Sequence, residues 1–197
     1  MTPRQILDIL SVANKLKTTT RHCFTASNRK ESVADHSWRL ALLALLTSNV
    51  EEFASVDLDK VIRMCLIHDL GEAFTGDVPS FYKTDVNTAQ EVDLYQQWVD
   101  VFPEPDRTQW HELINEMLAL ESTEAKLYKA LDKLEAVISH DESDLSTWLP
   151  LEYQLQLDYA AESVAFSPFL IELKALIDAW TLDKIKNGVS RSSDASH

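Results

Sequence analysis

A chain of 197 residues with 45% hydrophobic and 9% aromatic content can bury the core of one large domain. Its 32 acidic residues against 18 Lys and Arg leave a formal net charge of -14, which excludes a broad duplex-binding surface but allows one small anion held locally. Only three glycines and six prolines punctuate long runs rich in Leu, Ala, Glu and Lys, so an all-α fold is expected.

Arg4 to Leu16 sets Ile6, Leu7, Ile9, Leu10 and Ala13 on one side, the pattern of an amphipathic helix with Pro3 at its start. Lys17 to Lys30 breaks that pattern and reads as a loop of the length typical of lids. Ser32 as N-cap, with Asp35 three residues on, opens a helix from Val33 to about Phe53 and puts His36 in its first turn. Asp57 or Asp59 begins the next helix, which runs to about Phe74 and carries Ile67-His68-Asp69-Leu70-Gly71-Glu72. At about 3.6 residues per turn His68 and Glu72 stand nearly above one another, with Asp69 about 100° round, so all three border one cavity. Burying these groups is costly unless a partner, most simply a metal ion, stabilises them.

Thr75-Gly76-Asp77-Val78-Pro79 then ends the helix, Gly76 being free to take positive φ and Asp77 reading as a turn residue close to the motif. Further helices are expected over Asn87 to Phe102, over Arg107 to Leu120 capped by Asp106, and over Thr123 to His140 capped by Ser122. In the last of these, pattern alone makes Asp132 a solvated residue beside a core set of Leu127, Ala130, Leu131, Leu134, Val137 and Ile138. Trp148 to Val164 and Ser167 to Lys186 complete seven or eight helices. Residues 1–187 form one domain on this reading, and 188–197, with His197, a disordered tail. His111 and His140 read as surface or end-of-helix residues. Cys23 and Cys65 lack CxxC spacing, which suggests free thiols in a reducing compartment. No signal peptide is visible, and the longest apolar run, Leu40 to Leu46, is too short to span a bilayer; a cytoplasmic protein with no membrane partner is expected.

His36, the pair His68-Asp69 and Asp132 resemble the H...HD...D signature of the HD-domain metal-dependent phosphohydrolases. Glu31-Ser32-Val33-Ala34-Asp35-His36, Glu72 and Thr75-Gly76-Asp77 resemble the 5'-deoxynucleotidase branch of that family. The resemblance implies a single HD-domain helical bundle with one divalent transition ion, Co²⁺, Mn²⁺ or similar, on His36, His68, Asp69 and Asp132; mixed imidazole and carboxylate ligation suits such an ion. It also implies Glu72 as general base or water-orienting group, Arg21 and Lys129 as phosphate contacts, and Asp77 as acceptor for a sugar hydroxyl. Where the branch has a Trp against the sugar, this chain has His22, a smaller polar ring. The implied activity is removal of the 5'-phosphate from (deoxy)nucleoside monophosphates by a homodimer, with no extended nucleic acid as partner. Alternatives are an HD phosphohydrolase for nucleoside triphosphates or cyclic nucleotides, and a non-catalytic nucleotide-binding HD module.

Overall fold

The computed structural model describes the backbone through Asp194 and side chains through Gly188. In chain order it has α1 (Pro3–Ala13), β1 (Thr20–Phe24), β2 (Lys30–Ser32), α2 (Val33–Leu46), α3 (Leu58–Ile67) and α4 (Glu72–Thr75). There follow α5 (Asp85–Val99), α6 (Asp106–Ala119), α7 (Thr123–Glu142), α8 (Glu152–Asp158), α9 (Ala161–Val164) and α10 (Pro168–Asp194). Among the described residues this is an all-α protein: eight helices, two four-residue helical turns and one small hairpin.

Helix α7 is the centre. Its Leu127, Ala130, Leu131, Leu134 and Val137 are fully buried, and they meet Val33, Leu40 and Ala44 of α2 and Val61, Met64 and Cys65 of α3. Each fully buried leucine stabilises the bundle by about 1.5–3 kcal/mol relative to exposure. Expected caps form at Ser32, with Asp35 as a full capping box, at Asp57, which accepts from the Lys60 amide, and at Ser122, which accepts from the Ala125 amide; Thr2 caps α1 as well. The α2 cap orients His36 toward the α3–α7 seam.

Several boundaries differ from expectation, each for a local reason. The Lys17 to Lys30 segment forms the first strand and turn of a hairpin that closes on Lys30–Ser32, with Thr20 opposite Ser32, Phe24 opposite Lys30 and an irregular register between. β-Branched Thr19 and Thr20 favour extended backbone, Asn28 takes the tight turn at φ 61°, and the Val33 amide bonds Thr19 O at 2.9 Å. Helix α2 stops at Leu46 because Thr47 turns its hydroxyl onto Ala44 O at 2.7 Å; a separate 3₁₀ turn, Glu51–Phe53, then delivers Phe53 to the core. Asp106 does not cap α6 but is its first residue, and it accepts from the Met1 amino group at 3.1 Å. The expected Trp148 to Val164 helix starts late, at Glu152, which accepts from the Leu149 amide at 2.6 Å just past Pro150, and it breaks at Tyr159 and Ala160 into α8 and α9.

Helix α10 begins as expected, with Ser167 Oγ accepting from the Leu170 amide at 3.2 Å. It passes through Gly188 to Asp194 rather than ending near Lys186, so part of the stretch read as a tail is helical. A Cβ at Gly188 would lie 2.1 Å from Leu145 Cδ2; this glycine permits a close approach and does not end the helix. His197 lies outside the described residues.

Candidate metal centre and active site

The central motif stands at the end of α3, not in the middle of a longer helix. The His68 amide still bonds Met64 O at 3.0 Å, but Leu70 then bonds Ile67 O, Glu72 bonds Asp69 O and Ala73 bonds Leu70 O at 3.0–3.2 Å, each spanning three residues. In such a tightened turn residues i and i+3 eclipse, so Asp69 and Glu72 form the stacked pair, in place of the expected His68 and Glu72. Gly71 permits this: a Cβ there would come within 2.9 Å of Glu91 Cγ on α5.

Four donor groups converge from three helices. His36 Nε2 lies 3.2 Å from His68 Nε2, 3.1 Å from Asp132 Oδ1 and 3.9 Å from Asp69 Oδ2, and His68 Nε2 lies 2.9 Å from Asp69 Oδ2. Both rings are fixed from behind. His68 Nδ1 donates to Cys65 O at 2.9 Å, and His36 Nδ1 is hydrogen-bonded to the buried Glu135 carboxylate. Each remaining Nε2 therefore presents its lone pair to the common point, the tautomer a metal requires. Edges of 2.9–3.9 Å between donors suit an ion with bonds of about 2.0–2.2 Å, so the set fits a divalent cation.

Burial opposes ionisation of Asp132, but Lys129 at 2.7 Å and the two imidazoles hold its carboxyl well below the usual range. Burial opposes charge on His68, and Asp69 overcomes it, raising the imidazole well above its ordinary value; a cation bound at Nε2 would displace that proton. Asp132 is thus a partly buried member of the site, 13% exposed, contrary to the solvated residue that periodicity suggests. Helix α7 is packed on most of its circumference, and one stripe of it faces a cavity.

A profile described as an HD domain matches residues 13–172. The chain belongs to the HD-domain family. It is 30% identical over 142 residues to mouse 5'-deoxynucleotidase HDDC2, covering 70% of this chain and 69% of that one. The human 5'-deoxynucleotidase HDDC2 is 29% identical over 144 residues, covering 71% and 68%. A crystal structure from Magnetospirillum magnetotacticum, named as a predicted metal-dependent phosphohydrolase, superposes with a TM-score of 0.77 at 26% identity and covers 92% of this chain and 94% of that one.

In this HD domain the donor cluster floors a pocket of about 440 Å³. Glu72 is 4% exposed, and its Oε2 has no hydrogen-bond partner. Burial pushes its carboxyl up to about 10, reinforced by the negative charge of Asp69, Asp77 and Glu91. Asp77 follows Gly76, which takes φ 76°, and burial raises its carboxyl while Arg21 opposes the shift. Arg21 lines the pocket from β1 while its NH1 donates to Glu31 at 2.8 Å and lies 3.5 Å from Glu135. Lys129 and His22 also line the pocket, so every residue singled out in the sequence borders one cavity or its floor.

Two residues of this HD domain escape sequence reading. Glu135 holds His36 in place, pairs with the Arg39 guanidinium at 3.3 Å and accepts from Ser139 at 2.9 Å; its only sequence signal is a charge among Leu131, Leu134 and Val137. His140, expected at the surface or a helix end, does fall in the last turn of α7, where it lines the pocket and bonds Glu152 at 3.0 Å. Its spacing from Asp132, with Ala136 between them on the same helical face, is the signal that could have found it. His111 does have a partner, Asp100 Oδ1 at 2.8 Å, away from the site.

Proposed function

We propose that this HD domain is a divalent-metal-dependent phosphomonoesterase that removes the 5'-phosphate from (deoxy)nucleoside monophosphates. The observation that carries the reading is the convergence of three clustered metal donors, His36, His68 and Asp69, with Asp132 at 3.1 Å from His36, two cationic side chains and a buried carboxylate on one pocket of about 440 Å³. That volume is in the range of small-molecule sites. The relatives named 5'-deoxynucleotidase support the substrate class.

His36, His68, Asp69 and Asp132 hold the ion. When bound, a transition ion such as Co²⁺ or Mn²⁺ supplies Lewis-acid polarisation of the phosphorus centre. Arg21 and Lys129 stabilise the phosphate oxygens, Arg21 through the guanidinium edge that its ion pair with Glu31 leaves open. Beside a dication Glu72 ionises more readily, and its carboxylate then takes the proton of the attacking water. Asp77 accepts from a sugar hydroxyl. The cytoplasm is the proposed compartment, supported by the buried free thiols of Cys23 and Cys65; among the described residues no helix is long and apolar enough to cross a membrane. A homodimer is proposed as well. Helix α10 buries Leu170 and Ile177 in the monomer core while leaving Ile171, Leu176 and Trp180 exposed, which supports self-association.

The test is phosphate release from dAMP by metal-stripped protein supplemented in turn with Co²⁺, Mn²⁺, Mg²⁺ and Zn²⁺. Metal-dependent release is expected. Nucleotide binding with no release under any metal would replace the enzyme by a binding module.

A further inference from the structure

A buried polar network lies behind the pocket and runs from the phosphate side of the site to the ion side. It joins Arg21 on β1, Glu31 on β2, and Glu135 and Ser139, one turn apart on α7. Glu31 is 4% exposed and both of its oxygens are engaged: Oε2 accepts from Arg21 NH1 at 2.8 Å and from the Cys23 thiol at 2.9 Å, and Oε1 faces the Ser139 hydroxyl at 3.0 Å. Burial pushes the Cys23 thiol up, so it remains a donor. Glu135, 1% exposed, is engaged as fully. Its Oε1 faces the same Ser139 hydroxyl at 2.9 Å and the Arg39 guanidinium at 3.3 Å, and its Oε2 is shared by Arg21 NH1 at 3.5 Å and His36 Nδ1.

Two groups in this network stand between the same two carboxylates. Ser139 has one hydroxyl hydrogen, which points at Glu31 or at Glu135 but not fully at both. Arg21 NH1 also lies between them, and its shorter contact shows that Glu31 holds it. With Glu31 neutralised, the guanidinium is drawn to Glu135 Oε2, the atom that anchors His36. The imidazole then shares its anchor with a cation, and its Nε2 becomes a weaker and less well oriented ligand. The same shift takes Arg21 away from its place on the pocket wall. A network that only filled the core would end in the core. This one ends at a pocket-lining cation and at an ion ligand.

We propose that Glu31 and Ser139 are positioning residues that, through Glu135, tie the Arg21 guanidinium to the His36 imidazole, so that one buried network sets both phosphate affinity and ion affinity. The role of Arg21 rests on the phosphomonoesterase reading, which the proposal deepens. Neither Glu31 nor Ser139 touches the ion or the phosphate.

The experiment measures two affinities: Mn²⁺ on metal-stripped protein by chelator competition with no phosphate present, and inorganic phosphate on the Mn²⁺-loaded form by calorimetry. Wild type is compared with Glu31→Gln, Ser139→Ala, Glu135→Gln and the double variant Glu31→Gln/Glu135→Gln. Mn²⁺ affinity is expected to fall about threefold to tenfold in each of the first two, the scale of a substitution acting through a neighbour. In the double variant it should lie within about twofold of Glu135→Gln alone, because Glu31 acts through Glu135. Phosphate affinity should fall about tenfold in Glu31→Gln, the scale of one misplaced charge-assisted hydrogen bond. Lost stability alone lowers the number of sites per chain and leaves the dissociation constants in place. If Glu31→Gln fails to accumulate, Ser139→Ala, which only removes a hydroxyl, replaces it in the same cycle with Glu135→Gln. Unchanged Mn²⁺ affinity in both single variants, additive losses in the double variant, or unmoved phosphate affinity overturns the proposal. Neither affinity depends on turnover. A wild type that shows the expected pattern but releases no phosphate from dAMP overturns the phosphomonoesterase and upholds the network; release together with additive losses overturns the network alone.

Discussion

Glu135 makes no contact with substrate in this reading, yet it sets the direction in which His36 offers its lone pair. Replacing it by Gln keeps the shape but removes the charge that the Arg21 and Arg39 side chains also face. Metal affinity of Glu135→Gln should fall about 10–100-fold, measured by chelator competition. Unchanged affinity would reduce Glu135 to a structural buried acid. Glu72→Ala should do the reverse, binding metal as wild type does while kcat falls by about 10²–10⁴. Loss of the ion from that variant would remove Glu72 from its role as base. The His68-Asp69 pair is conspicuous in sequence because an imidazole and a carboxylate interrupt an apolar run. Glu135 and His140 are not, since their partners His36 and Glu152 come from other helices.

At the level of elements, the site depends on the turn between α3 and α4 lying against α5. Gly71→Ala brings a methyl within 2.9 Å of Glu91 Cγ and 3.3 Å of Glu91 O, so the turn must move outward and carry Asp69 and Glu72 with it. We expect a loss of about 1–3 kcal/mol in urea unfolding, together with weaker metal binding. A fall in stability with metal affinity intact would show that the donors adjust independently of the turn. Helix starts were readable because capping is local: Ser32 and Asp35 satisfy each other within four residues. Helix ends and the hairpin were less so. A three-residue strand such as β2 has little propensity signal of its own and forms because β1 and the start of α2 satisfy its backbone.

For the molecule as a whole, two conditions should shift stability in opposite senses. An ion that binds only the folded chain stabilises it by about 2.7 kcal/mol at a hundredfold excess over Kd, or roughly 5–10 °C in Tm for a chain of this size. Calorimetry with and without chelator measures this, and no shift would count against the metal centre. Asp141 acts through pH. It is buried where α7 meets α10, and burial pushes its carboxyl up to about 6 even though Thr181 donates to Oδ2 at 2.8 Å. The folded chain thus holds this proton more tightly than the unfolded chain does. Its contribution is most favourable when Asp141 is protonated, and it is lost as pH rises from the unfolded carboxylate range through about 6. Asp141→Asn should therefore stabilise the protein at pH 8 by about 1–2 kcal/mol, after allowance for screening, and by much less at pH 5. Equal effects at both values would separate the gain from titration.

The sequence by itself determined the helical class, most helix starts and the unusual placement of His68, Asp69 and Glu72, while His36 and Asp132 stood out only through the family resemblance. These follow from local rules: 3.6-residue periodicity, side-chain caps, and the cost of placing His68, Asp69 and Glu72 in an apolar segment. Only the tertiary structure decided that Asp132 faces the cavity, that Asp69 rather than His68 stacks on Glu72, and that His22 meets His140 and Glu152. Each of these depends on which side of a helix or strand a neighbouring element leaves open. That is settled when α2, α3, α7 and α8 pack together, by contacts between residues tens of positions apart that no local pattern encodes.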